Sequence, residues 1–186
     1  MIRFDSHLLA AVAVAQTTDR RRYYLAGVYM NGLRAVATDG EILTIAHDEG
    51  AVIQVPGIYP VSSKAQTALR KARTAEIQYG RLSVYDDGRL ARHMSICQPI
   101  DGAFPDYVRV VPRPHRGGPA PVGDFKPRVL QAVLDTAKAL DPACPPFPVF
   151  RAISAGEPHI VRYGDRQDIF SVVMPYRSNH PEKLEF

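Results

Sequence analysis

The residues whose types could do chemistry are the carboxylates and imidazoles Asp39, His47, Asp48, Asp86, Asp87 and His93. A general acid–base pair, a nucleophile with its base, or a metal site needs such groups at spacings that one turn or one helix face brings together. None stands at such a spacing. Thr38-Asp39-Gly40 and Asp86-Asp87-Gly88 are accounted for as turns, because an Asp-Gly pair takes positive φ at little cost. Cys97 and Cys144 have no C-x-x-C neighbour and read as two ordinary buried thiols in a reducing, cytoplasmic compartment. The expectation is therefore no catalytic residue, no metal and no cofactor: a protein that is not an enzyme. The rival of a different class, a hydrolase or nuclease, would show itself by metal-dependent cleavage of duplex DNA.

The chemistry that remains is charge. The chain carries a net charge of +4, which permits a polyanionic partner without requiring one. Arg20, Arg21 and Arg22 follow the first helical stretch. In the second, a helical wheel puts Ala65, Ala68, Leu69 and Ala72 on one face and spreads Lys64, Arg70, Lys71 and Arg73 over the other, with no acid among them. The third buries Val129, Leu130, Val133 and Leu134 and exposes Arg128, Gln131, Asp135 and Lys138, with Lys126 just before it. A lone basic helix face is most often simply solvated; two such faces in similar units raise the case for phosphate contacts.

The elements that hold these faces follow from period and punctuation. At 186 residues, 46% hydrophobic and 23% charged, the chain reads as a soluble globular protein of one large or two small domains. No run reaches the ~18 apolar residues of a membrane span. The apolar start, MIRFDSHLLAAVAVAQ, has an early Asp5 and one basic residue, unlike a secretory signal. Met1–Phe4 reads as an edge strand, and Asp5 or Ser6 caps a helix to about Gln16. From Arg22 to His47, apolar runs broken at Asn31-Gly32 and Asp39-Gly40 predict three antiparallel strands. The order repeats: strand Ala51–Val55, helix from Ser62 or Ser63 to about Arg73, hairpin over residues 76–85, strand Arg89–Gln98. The stretch DGAFPDYVRVVP closes that unit, and RPHRGGP is a linker by composition. A third unit has a strand from Val122 to Phe125, a helix from Pro127 to Leu140, and strands at 149–153, 159–163 and 168–174.

Three segments resemble the bacterial sliding clamp family, the beta subunit of DNA polymerase III: RYYLAG…VATDG in the first unit, GAFPDYVRVVP at residues 102–112, and SVVMPYR at residues 171–177. They stand in the family's order. The resemblance implies an α+β DNA-clamp fold of three strand–helix–three-strand units, with antiparallel sheets outside and helices lining a central channel. On that reading residues 1–112 resemble the family's middle domain, 113–119 are a linker, 120–177 resemble the end of its last domain, and 178–186 are a tail. Two departures stand out. The family builds each chain from six such units, and Glu41-Ile42 replace a basic or imidazole pair after the turn, which would make one end of the family's partner groove more acidic and less polar.

The resemblance also implies sites and partners. Double-stranded DNA would be contacted without sequence specificity, through Arg20, Arg21, Tyr23, Tyr24, Lys64, Arg70, Lys71, Arg73, Lys126, Arg128 and Lys138. A DNA polymerase and a clamp loader would insert a short peptide into a groove at Leu25, Thr38, Gly40, Leu43, Pro112, Val172, Val173, Met174, Pro175, Tyr176 and Arg177. Core packing is the plainer role for many of these. The tail, Glu182-Lys183-Leu184-Glu185-Phe186, loosely resembles such partner peptides. An unpaired third unit would seek another chain, and a ring of twelve units divided by three gives a homotetramer. The alternative is a short, phage-carried relative that binds host replication proteins as a decoy without encircling DNA.

Overall fold

The computed structural model describes residues 1–86, 91–112, 123–152 and 156–176. The chain forms β1 (Ile2–Asp5), α1 (Ser6–Ala13), a 3-10 helix (Arg20–Leu25), β2 (Val28–Asn31), β3 (Arg34–Thr38) and β4 (Ile42–His47). It continues as β5 (Val52–Ile53), β6 (Gly57–Tyr59), α2 (Ser63–Leu69), β7 (Thr74–Gln78), β8 (Arg81–Tyr85) and β9 (Ala91–Ile96). A second 3-10 helix (Tyr107–Val110) precedes α3 (Pro127–Leu140), β10 (Pro148–Arg151), β11 (His159–Tyr163) and β12 (Ile169–Val173). Among the described residues no helix is long and apolar enough to cross a membrane.

Two antiparallel sheets result, and each borrows a strand across the units. One runs β5-β1-β7-β8-β9 and places the first unit's opening strand beside the second unit's hairpin. The other runs β10-β11-β12-β4-β3-β2-β6, so β6 of the second unit pairs with β2 of the first. The third unit enters that same sheet through β12, which pairs with β4 from Ile169↔Ala46 to Val173↔Ile42.

α1 lies at the centre. Asp5 caps it by accepting a hydrogen bond from the Leu8 amide at 2.8 Å, and residues Leu8 to Ala13 are all buried. Its Ala-rich composition lets it pack against both α2 and α3. His7 Nδ1 lies 3.0 Å from the Leu140 carbonyl, and the Ser6 amide donates to the Arg73 carbonyl at 3.0 Å, so the end of α3 and the residue just before β7 are both tied to its first turn. The junction with the third unit is also polar at one point: Tyr163 Oη, Ser171 Oγ and Thr44 Oγ1 form a buried chain of 2.8 Å contacts across three strands. Burial pushes the Tyr163 hydroxyl up to about 12, so it stays neutral.

Four sequence expectations differ from the structure. Tyr23 and Leu25 do not open a strand; Asp19 accepts from the Arg21 amide and winds residues 20–25 into a 3-10 helix, and the strand begins at Val28. The strand expected from Ala51 to Val55 shrinks to β5, which joins β1, and a further strand, β6, forms just beyond it and joins β2. Of the strand expected at Val122–Phe125, Val122 lies outside the described residues and Gly123–Phe125 form none. Phe125 instead packs against Phe150, tilted by 37°, and edge-on to His159, each with ring centroids 5.3 Å away. On α3, Leu130 and Leu134 are exposed, at 40% and 46%. The buried stripe runs through Val129, Val133, Ala137 and Leu140, because α1 covers a single flank. The linker at 113–119 and the tail at 178–186 lie outside the described residues.

Candidate functional site: a groove where the third unit joins the first

The Thr38-Asp39-Gly40 turn builds a wall. Asp39 Oδ1 accepts from the Glu41 and Ile42 amides at 2.8 and 3.0 Å, and Thr38 Oγ1 accepts from the Gly40 amide at 3.0 Å. Gly40 has φ +94°, and a Cβ there would lie 2.8 Å from Arg22 Nη1, which donates to the Asp39 carbonyl. Beyond the turn, β4 presents Leu43 directly opposite Val172 of β12, and the Met174 amide donates to the Glu41 carbonyl at 2.9 Å.

The segment 101–112 crosses the outer face of this sheet and supplies another side. Phe104 stacks on Tyr29 with centroids 5.0 Å apart and planes within 8°. Tyr107 and Val111 pack with it over Val36, Leu43, Ile45 and Val172. What remains open is a cavity of about 210 Å³. Leu25, Thr38, Gly40, Glu41, Ile42 and Leu43 line one side; Pro105, Asp106, Tyr107 and Val110 the second; Val172 and Met174 the third. Its lining is mostly apolar, with Val110 and Met174 at the rim, 49% and 44% exposed. Such a preformed apolar cleft suits the side-chain anchors of an extended peptide.

Six of the expected groove residues meet here: Leu25, Thr38, Gly40, Leu43, Val172 and Met174. Pro112 does not; Pro105 and Val110, earlier in the same segment, take the positions that reach the cavity. Val173 points to the opposite face of β12 and is fully buried in the main core. Pro175 and Tyr176 lie just beyond the rim, where the Tyr176 ring sits 5.6 Å from Lys126 Nζ. Arg177 is outside the described residues. Pro105 reaches the cavity because Phe104, stacked on Tyr29, fixes the residue that follows it.

Beside the groove stands a group of charges to which the sequence alone gives separate roles. Lys126 Nζ meets Glu41 Oε1 at 2.8 Å, Arg128 Nη2 meets Glu41 Oε2 at 2.6 Å, and Arg128 Nη1 meets Asp39 Oδ2 at 3.0 Å. The Lys126 ammonium and the Arg128 guanidinium hold the Glu41 carboxyl below its usual range, and Glu41 in turn raises Arg128. Two cations expected to face a polyanion are thus paired to the same residue that was expected to make the groove acidic. The network bridges the first unit's turn to the start of α3.

The other cations divide. Arg20, Lys64, Lys71, Arg73 and Lys138 are exposed and Arg70 is half-buried. Arg21 is exposed but 3.7 Å from Asp19. Tyr23 is 55% exposed; Tyr24, edge-on to it at 5.8 Å, is half-buried. Arg70, Lys71, Arg73, Arg92 and His7 border one shallow depression together with Asp86. α1, buried except at His7, carries no Lys or Arg and offers no such face. Among the described residues no group of three His, Cys, Asp or Glu is placed to hold a metal ion. Of the two thiols expected to be buried, Cys144 is exposed in the loop after α3; Cys97 is buried, which pushes its thiol up to about 12 and leaves it an unreactive donor to the Pro60 carbonyl.

Two sheets sharing strands over a common helical layer, with a groove where one unit's last strand meets another's, define the class: this is the fold of the DNA sliding clamps. The clamp of Caulobacter crescentus superposes with a TM-score of 0.66 at 22% identity, over 95% of this chain and 65% of that one. The clamp of Bacillus subtilis gives 0.62 at 15% identity, over 95% and 64%. A Bartonella birtlesii clamp bound to griselimycin gives 0.60 at 19%, over 95% and 66%. By sequence, the beta sliding clamps of two Caulobacter vibrioides strains are 36% identical over 122 residues, 57% of this chain. No family model matches. In sequence the chain is similar to the bacterial beta sliding clamps, and it spans about a third (32%) of the length of the curated relatives it matches.

Proposed function

We propose that this chain is the subunit of a processivity clamp, a non-catalytic protein that tethers a DNA polymerase to duplex DNA. The observation that carries the reading is the preformed apolar groove at the β4–β12 junction, in a chain of clamp fold. A polymerase or loader peptide with two apolar anchors would fill it, with affinity concentrated at those anchors. DNA would be held through phosphates by Arg20, Arg21, Lys64, Arg70, Lys71, Arg73 and Lys138, with Tyr23 and Tyr24 beside them. Phosphate contacts give affinity without sequence preference, as a sliding protein needs. Lys126 and Arg128 act first as structural pairs. Three units per subunit and a ring of twelve make a homotetramer.

Two measurements test this. Purified protein assembled on nicked circular DNA should stay bound in high salt and leave once the circle is linearised; equal loss from both forms would end the encircling role. Met174→Ala should weaken a fluorescent peptide carrying paired apolar anchors by about 5–10-fold, the scale of one truncated anchor.

A further inference from the structure

The two sheets expose four edges, and three of them are blunted. β5 has two residues, β6 is bridged by Ile100 through Ile58, and β10 begins at Pro148 behind Pro145 and Pro146. Short strands, cover and proline are the usual devices that keep an edge from pairing. β9 has none of them over His93–Ile96. Arg92, at the irregularity between Val84 and Tyr85, is occupied by Asp86. On its outer face Met94 is 57% and Ile96 80% exposed.

The backbone shows which groups this edge offers. The Cys97 amide donates to the Gly80 carbonyl at 2.8 Å, so by the alternation of an antiparallel ladder Ser95 and His93 face β8. The amides and carbonyls of Met94 and Ile96 therefore point outward, and no strand pairs with them among the described residues. The same position in the third unit, its last strand β12, is completed by the last strand of another unit, β4.

We propose that β9 pairs with β9 of a second copy of this chain, antiparallel about a two-fold axis through Ser95. That register sets Met94 of each copy opposite Ile96 of the other. The four outward backbone pairs are satisfied, the exposed apolar side chains meet on one face, and no like charges oppose. This specifies one subunit contact of the ring proposed above, and it holds whether or not the assembly encircles DNA.

At a site where two residues face without mutual hydrogen bonds, Cα atoms lie about 4.5 Å apart, within disulfide reach. Ser95→Cys in a Cys144→Ser background, mildly oxidised, should give a covalent dimer on a non-reducing gel, while Cys144→Ser alone should not. Met94→Pro removes only an outward amide and Ile96→Lys adds a charge to the apolar face. Each should halve the mass measured by sedimentation with the far-ultraviolet circular dichroism retained. Should Met94→Pro fail to fold, Ile96→Lys and the cross-link decide. No cross-link from an oligomeric protein, or an unchanged mass in the variants, overturns this contact and leaves the ring open. A wild-type monomer at tens of micromolar overturns both. A cross-linked assembly that leaves circular and linear DNA alike overturns the ring alone.

Discussion

Glu41 shows how a single substitution changes role with its surroundings. In the sequence it stands as an acid added to a groove; in the structure it is neutralised by Lys126 and Arg128 and fastens α3 to the β3–β4 turn. Its folded-state pKa is lowered, so its contribution to stability is full above the ordinary carboxylate value of 4.5 and fades as pH falls through the lower folded value. Glu41→Gln should flatten that acid limb of a Tm-against-pH curve and cost about 0.5–1 kcal/mol at pH 7, the usual size for a partly exposed pair. Ser171→Ala should cost more, about 1–3 kcal/mol by urea unfolding, because it leaves Tyr163 and Thr44 buried without their shared partner. Single residues are legible in the sequence where a local motif fixes them, as at Thr38-Asp39-Gly40. The Glu41 pairing is not, because Lys126 and Arg128 lie 85 and 87 positions away and reach it only through the fold.

At the scale of elements, the groove depends on a segment that has no regular partner. Residues 104–111 are held to the outer face of the sheet by Phe104 on Tyr29 and by Tyr107 and Val111 over a small apolar cluster. Phe104→Ala should lower stability by about 2 kcal/mol, less than a fully buried aromatic. It should also accelerate amide exchange in Tyr107–Val110 and weaken peptide binding, which hydrogen-exchange mass spectrometry and fluorescence anisotropy would show together. Helix and strand order can be read from turn pairs and apolar period, and α2 and α3 begin where their caps predict. The 3-10 helix at Arg20–Leu25 cannot, because its apolar spacing also suits a strand and the Asp19 cap decides locally. Pro112 and Pro105 are ambiguous for a similar reason: both flank the same segment, and only the stacking of Phe104 determines which one reaches the cavity.

For the whole molecule, the two-sheet arrangement and its relation to sliding clamps are legible in three short motifs standing in order. Which sheet the third unit joins is not, since β12 pairs with a strand more than a hundred residues earlier. If the exposed cations grip phosphates, replacing Lys64, Lys71 and Arg73 together by Glu should reduce the slope of log K against log salt. The expected change is about 0.9 for each phosphate that is no longer neutralised, measured on duplex DNA.

The reciprocal loan of β1 and β6 has a mechanical outcome. Each of the first two units is stitched into its neighbour, so melting one pulls a thread out of the other, and residues 1–112 should unfold in a single calorimetric step. A protease nick at the exposed Glu49-Gly50 bend would separate the covalent halves without releasing them, and the fragments should still elute together.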